Sequence, residues 1–339
     1  MFLTHSHTPM PPLSPIFLIL LFTSLLFAYL NGVSDSANIV APVISVHALS
    51  PRRALVTTAA AVTVAPFIFG VAVARTFGAG IIAPESVTPA VVLAATLSAI
   101  LWRLITWWLG LPSSSSHALV GGLVGAGLAG AGLGAVNLFG LFRVLIALFV
   151  SPAIGLLVGY ELTRAFYYLA QWATPRINNA FRMGQVVAAL ALALSWGAND
   201  AQKAIGLLAL GVAAASGMPF AISPWISAAA MAGIALGTLT GGWRIIRTLG
   251  GRFYRIRPIH GFAAQTAAAS VIFGAAILGA PVSTTQVVST SILGAGAAER
   301  VSQVHWGIAG EILWAWVLTI PATALAGAGL FVISKWLMA

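Results

Sequence analysis

The chain has no cysteine, which excludes disulfide frameworks and thiolate metal sites alike. Charge is nearly as scarce. Only 6% of the residues are charged, against about 25% in ordinary soluble domains. Acids number six in all. The region Met1–Pro15 carries no Lys or Arg, so it lacks the charged start of a secretory signal peptide and reads as a disordered lead-in. Neither Gly-x-Ser-x-Gly nor His-Glu-x-x-His occurs. Ser116 and His117 are adjacent, and adjacent residues on a helix point in different directions, which makes them a poor nucleophile–base pair. The chain is therefore expected not to be an enzyme, and no cofactor is expected.

What is present is apolar. Hydrophobic residues make up 60% of the 339-residue chain, more than a soluble fold of this length can hide. Ile16–Leu30, Ala54–Ala74 and Val144–Tyr160 are continuous charge-free runs. A membrane barrel would alternate polar and apolar residues in segments of roughly ten, whereas a spanning helix needs about 20 mostly apolar residues. The prediction is an all-α, polytopic membrane protein with the lipid bilayer as its main solvent. The net charge of +10 is then a matter of topology rather than nucleic-acid binding, because most of the arginines lie between apolar runs. The 35 glycines and 17 prolines suit closely packed or broken membrane helices.

The chain contains an internal duplication. Asn31-Gly-Val-Ser-Asp35-Ser-Ala-Asn38 and Trp196-Gly-Ala-Asn199-Asp200-Ala-Gln-Lys203 each end an apolar run. Gly110-Leu-Pro112-Ser113-Ser114-Ser115-Ser116 and Gly279-Ala-Pro281-Val-Ser283-Thr284-Thr285 form a second pair, in the same order and at nearly the same offset. This divides the chain into a first repeat at 16–166, an interfacial linker at 167–182 and a second repeat at 183–339. Basic loops mark the cytoplasmic side. The loop with Arg244, Arg247, Arg252, Arg255 and Arg257 matches a stretch, Ala79–Val92, that holds Glu85 and no base. The Arg52–Arg53 loop matches the uncharged Ser216–Pro219. Such alternation predicts two inverted-topology repeats, the construction common in secondary transporters.

The duplicated motifs carry the chemistry. Asp35 and Asp200 are acids at membrane depth, where a carboxylate is costly unless it lines a cavity or is paired. A carboxylate there suits Na⁺ or a proton. Lys203 replaces Asn38 of the first motif and lies within reach of Asp200, either as a plain ion pair or as a fixed positive charge beside an anion. It would repel a cation, so the site is expected to be asymmetric, with at most one Na⁺ or with proton coupling. The hydroxyl clusters follow helix-breaking Gly-x-Pro and precede small-residue segments. Helix N-termini lined with hydroxyls would wrap a tetrahedral oxyanion. Capping alone needs one Ser or Thr, and four in succession exceed that need.

These motifs, with Trp196–Gly206, Gly110–Gly122 and Pro281–Thr285, closely resemble signatures of the inorganic phosphate transporter (PiT) family, in its bacterial type, from about Asn31 to the C-terminus. The resemblance implies inverted repeats with two re-entrant helical hairpins, about ten to twelve membrane segments and uptake of inorganic phosphate with H⁺ (favoured) or Na⁺ by alternating access. The substrate could also be a neutral metal phosphate. It implies phosphate contacts from Ser113, Ser114, Ser115, Ser116, Ser283, Thr284 and Thr285, with Lys203 beside them. It implies cation or proton coupling through Asp35, Asn38, Asn199 and Asp200, with Na⁺ at Asp35, Asn38 and Asp200 as the metal alternative. The chain departs from the pattern at Ser34 and Ser36 and at Gln286, where His is frequent. A multi-pass protein of the bacterial inner membrane is expected, and small-residue stripes would support a homodimer. The competing readings are a phosphate-selective channel and a carrier of arsenate or sulfate.

Overall fold

The computed structural model describes residues 10–110, 113–243, 246, 257–304 and 306–338. Most of the basic loop (Arg244, Arg247, Arg252 and Arg255), Pro112 and the start of the lead-in lie outside them.

Proline and polar caps set the helix starts. Pro15, Pro51, Pro89, Pro224 and Pro258 each open a helix, where a missing N–H costs nothing. Ser14, Thr88 and Asn137 cap their helices through the side chain. The described residues form twelve α-helices: α1 (Pro15–Ser45), α2 (Pro51–Phe69), α3 (Ala72–Ala79), α4 (Pro89–Leu109), α5 (Ser115–Ala131), α6 (Leu138–Leu169), α7 (Ile177–Ala198), α8 (Gln202–Ser216), α9 (Pro224–Thr240), α10 (Pro258–Ile277), α11 (Thr284–Glu299) and α12 (Trp306–Met338). The stretch expected as a linker is helical at both ends, because α6 runs to Leu169 and α7 begins at Ile177.

Among the described residues, eight helical stretches are long and apolar enough to cross a membrane, with α7 and α8 counted together, and α9 is a shorter apolar helix. The chain is a multi-pass membrane protein. The ten to twelve expected segments include helices too short for that count, α9 with 17 residues and α11 with 16, and the pair α7 and α8, which residues 199–201 separate. Gly70, with φ of 80°, likewise separates α2 from α3.

The connections gather at two ends. At the first, the α3–α4 and α5–α6 connections are tied by Ala83 N–H to Ala135 O and Asn137 N–H to Ile81 O, both 2.9 Å. A cavity of about 390 Å³ lies between the α3–α4 and α8–α9 connections. The start of α1 and Ser334 line a further cavity with Pro89 there. At the second end, the α1–α2 connection packs against the first half of α7. Tyr167 bonds His260 at 2.7 Å and Arg257 pairs with Glu299 at 2.8 Å, which gathers α6, α10 and α11. Arg52, Arg53, Arg176 and Arg257 therefore share one end. Helices α4 and α5 form a hairpin rooted at the first end, α10 and α11 a hairpin rooted at the second, and their tips meet inside.

Burial grades accordingly. The most apolar windows of α4, α5 and α10 are 56% buried, whereas those of α6 and α12 are 22% and 28% buried. The hairpins are the centre and α6 and α12 the lipid-facing staves. Glycine permits their close docking. A Cβ on Gly125 of α5 would strike the Ala324 carbonyl of α12, and one on Gly159 of α6 would meet the Ser291 backbone of α11.

Candidate functional site

The two tips are built alike. Gly110 ends the first ascending helix in the left-handed region (φ 69°), and four residues later Ser114 caps α5. Gly279 (φ 64°) precedes Ser283, the cap of α11, by the same spacing. The Ser114 hydroxyl accepts the His117 N–H at 3.2 Å, and the Ser283 hydroxyl accepts the Gln286 N–H at 3.4 Å. Ordinary capping thus accounts for one serine in each cluster and leaves the others to be explained.

Ser115 and Ser116 turn to the acids. The Ser115 hydroxyl donates to Asp35 Oδ2 at 3.1 Å, and the Ser116 hydroxyl to Asp200 Oδ1 at 2.9 Å. The Lys203 ammonium donates to both serines, at 2.5 and 2.9 Å, and pairs with Asp200 one helical turn away. From the second tip, the Thr285 hydroxyl reaches Asp35 Oδ1 at 3.5 Å and accepts from the Asn38 amide at 3.0 Å. One side chain with no part in the sequence expectations completes the group. Arg103 of α4 places Nη2 on Asp35 Oδ1 at 2.8 Å and Nη1 on the Ser113 carbonyl at 3.3 Å. All of these residues are buried; Asp35, Asp200 and Lys203 are at most 2% exposed.

The site therefore brings Asp35, Asn38, Asp200, Lys203, Ser115, Ser116 and Thr285 together. Four expected members stand elsewhere, Ser283 among them as the cap of α11. The Ser113 hydroxyl accepts the Trp102 indole N–H at 2.9 Å. Ser114 holds the His117 ring at 2.7 Å as well as capping. Asn199 is spent on the second tip, since its amide donates to Ala280 O at 2.9 Å and its oxygen accepts the Val282 N–H at 3.1 Å. It anchors the hairpin that carries Thr285 rather than facing the acids. Thr284 is buried with its hydroxyl unpartnered, as are Asn38 Oδ1 and Arg103 Nε.

The arrangement does not resemble a hydrolase. His117 faces Ser114 on one ring nitrogen and the Gln286 amide, at 3.5 Å, on the other, so no acid orients it and Ser116 lies on Asp200 and Lys203 instead. Among the described residues no three His, Asp or Glu side chains cluster for a metal.

Sequence reasoning overlooked Arg103, Gln202 and Gln265. Arg103 had a legible signal, as the one charge inside the apolar run of α4. Gln202 spans the α2–α3 break, bonding Gly70 O at 2.6 Å and the Ala74 N–H at 3.1 Å. Gln265 donates to Ile39 O at 2.8 Å, where Pro42 loosens α1. Gln202 lies within the second acid motif, whereas no sequence pattern marks Gln265.

Opposed helical hairpins that bring hydroxyl-lined tips to buried acids and bases, inside a multi-pass bundle, are the architecture of a membrane transporter with a central site. The family follows from comparison with known proteins. Residues 31–327 match the model of the phosphate transporter family (PHO4), and the chain belongs to that family. It is 43% identical over 317 residues to a "Probable low-affinity inorganic phosphate transporter" of Rhizobium meliloti (strain 1021), covering 93% of this chain and 95% of that one. A protein of the same description from Bacillus subtilis (strain 168) is 39% identical over 318 residues, covering 92% and 95%. Among solved structures, one titled "The sodium-dependent phosphate transporter" shares the fold, with a TM-score of 0.86 at 23% identity over 95% of this chain and all of that one. The family is one of transporters, which sets the enzyme reading aside.

Proposed function

We propose that this protein is a secondary active transporter that takes up inorganic phosphate with a cation, H⁺ in preference to Na⁺, across the bacterial inner membrane. The observation that carries the reading is the junction of the first tip with both acids, Ser115 on Asp35 and Ser116 on Asp200, with Lys203 bridging the two serines. Hydroxyls and an ammonium suit an oxyanion, and carboxylates beside them make its binding conditional on a cation or proton. Ser115, Ser116, Thr284, Thr285 and Lys203 would hold phosphate. Ser113, Ser114, Ser283 and Asn199 would shape the tips.

The halves act as inverted repeats, with α1 equivalent to α7–α8 and the two hairpins equivalent to each other. The end bearing Arg52, Arg53 and Arg257 faces the cytoplasm. Because the site is buried, the hairpins must move against the rest of the bundle to open it to either side, which is alternating access. The names of the relatives and the direct contact of hydroxyl tips with acids support phosphate over other anions.

The test is labelled phosphate uptake into proteoliposomes under an imposed H⁺ gradient, an imposed Na⁺ gradient, or neither. Accumulation above equilibrium under one gradient is the expected result. Flux that only equilibrates in all three conditions points to a channel and overturns the carrier reading.

A further inference from the structure

The solved relative of this fold is titled sodium-dependent, so the residues at the acids can be tested for a place that sodium would fill. A sodium ion held at these acids would take oxygen ligands and be balanced by a carboxylate whose charge is free. Neutral oxygens are available, since Asn38 Oδ1 is buried one turn beyond Asp35 and has no donor. The charge is not. Asp200 is held by Lys203 and Ser116. Asp35 takes Arg103 on one oxygen at 2.8 Å and Ser115 on the other at 3.1 Å.

The Arg103 contacts have the form of a bound cation. A metal ion in this position would tie the α1 carboxylate to a backbone carbonyl of the first tip. The guanidinium makes the same two links, to Asp35 and to the Ser113 carbonyl. It does so with a side chain that is 2% exposed and whose Nε has no partner. Its planar fork can grip a carboxylate and still offer a donor elsewhere. The second motif repeats the device by another route, because Lys203 stands where the first motif has Asn38 and also pairs with its acid. Each acid thus has a built-in cation, one from a helix of the first hairpin and one from its own segment.

We propose that Arg103 is a resident counter-ion that stands in for sodium at Asp35 and determines that this carrier works without sodium. The inference rests on the phosphate-carrier reading and specifies its coupling residue. With Arg103 neutralised, Asp35, the Thr285 hydroxyl and the free Asn38 oxygen become an oxygen set with uncompensated negative charge, which a sodium ion fits.

The experiment is exchange of labelled for unlabelled phosphate across proteoliposomes, in sodium chloride or in choline chloride, for the wild type, Arg103→Gln and Arg103→Lys. The wild type is expected to exchange equally in both salts, and Arg103→Lys to remain indifferent to sodium. Arg103→Gln is expected to exchange about tenfold faster in sodium, a size usual for coupling between two ligands. A merely structural arginine would lower flux in both salts alike. Wild-type exchange that needs sodium overturns the proposal, and so does a folded Arg103→Gln that sodium does not stimulate. Should Arg103→Gln not fold, melting of the wild type in the two salts decides. Equal melting supports the proposal, and a stabilisation specific to sodium overturns it. Absence of phosphate exchange by the wild type in either salt would instead sink the underlying carrier reading.

Discussion

The surroundings of Asp35 and of Asp200 come from duplicated motifs yet are wired differently. Asp200 lies in the break between α7 and α8, and its cation, Lys203, belongs to the same short segment. Asp35 lies within the unbroken helix α1, and its cation comes from α4 of the first hairpin. A local pair travels as a unit whatever the helices do. A pair made across helices exists only while those helices keep their places. Movement of the first hairpin would therefore strain the Arg103–Asp35 link and carry Ser115 and Ser116 away from both acids, while leaving Lys203 on Asp200. On the proposed mechanism, the Asp35 side would report hairpin position and the Asp200 side would hold charge.

The largest expected effect breaks the local pair. Asp200→Asn leaves a buried ammonium without its carboxylate, which costs about 3–5 kcal/mol. Thermal unfolding in detergent should show that loss and uptake should fall to background. Adding Lys203→Met to Asp200→Asn should restore most of the stability but not the uptake, because removing both charges leaves none unpaired. A double variant no more stable than the single one would refute the local-pair account.

Asp35→Asn tests the other pair. It too leaves a buried cation without its carboxylate, with Arg103 keeping the Ser113 carbonyl as Lys203 would keep Ser115 and Ser116, so the loss should be of similar size, about 3–5 kcal/mol. A loss far below that of Asp200→Asn would refute the pairing of Asp35 with Arg103.

The next prediction concerns the tips. Asn199→Ala strips the second tip of two bonds and leaves the Val282 N–H and Ala280 carbonyl unpaired. It should cost about 1–3 kcal/mol and raise the phosphate concentration needed for half-maximal uptake, while leaving the choice of coupling ion unchanged. A switch of coupling ion would return Asn199 to the acids and overturn its anchoring role. The smallest effect is expected from Ser283→Ala, which removes a cap worth about 1 kcal/mol and should leave uptake nearly intact. Ser116→Ala should abolish most uptake, although both are hydroxyls of the same kind of tip. Equal losses from the two would erase the distinction between capping and acid-facing serines.

Much of this was legible in the chain. Apolar runs with almost no charge, punctuated by proline and glycine, announced the helices, because membrane insertion and helix breaking depend on short stretches of residues. Asp35, Asp200 and the hydroxyl tips stood out because polar groups at membrane depth are costly and these occur twice in order. Arg103 is the single charge in α4, but its importance lies in a partner 68 positions earlier in the chain, which local pattern does not show. Asn199 adjoins an acid in the chain, but its side chain bonds Ala280 and Val282 of the second tip instead.

The amino-acid order by itself determined the class of protein and the set of polar groups that had to be sheltered from lipid. Only the tertiary structure decided which hydroxyl met which acid, that Arg103 and Lys203 balance Asp35 and Asp200, and that Ser113, Ser114 and Asn199 serve the tips. Local pattern specifies that a buried polar group must find a partner, whereas the identity of that partner depends on how helices distant in sequence pack.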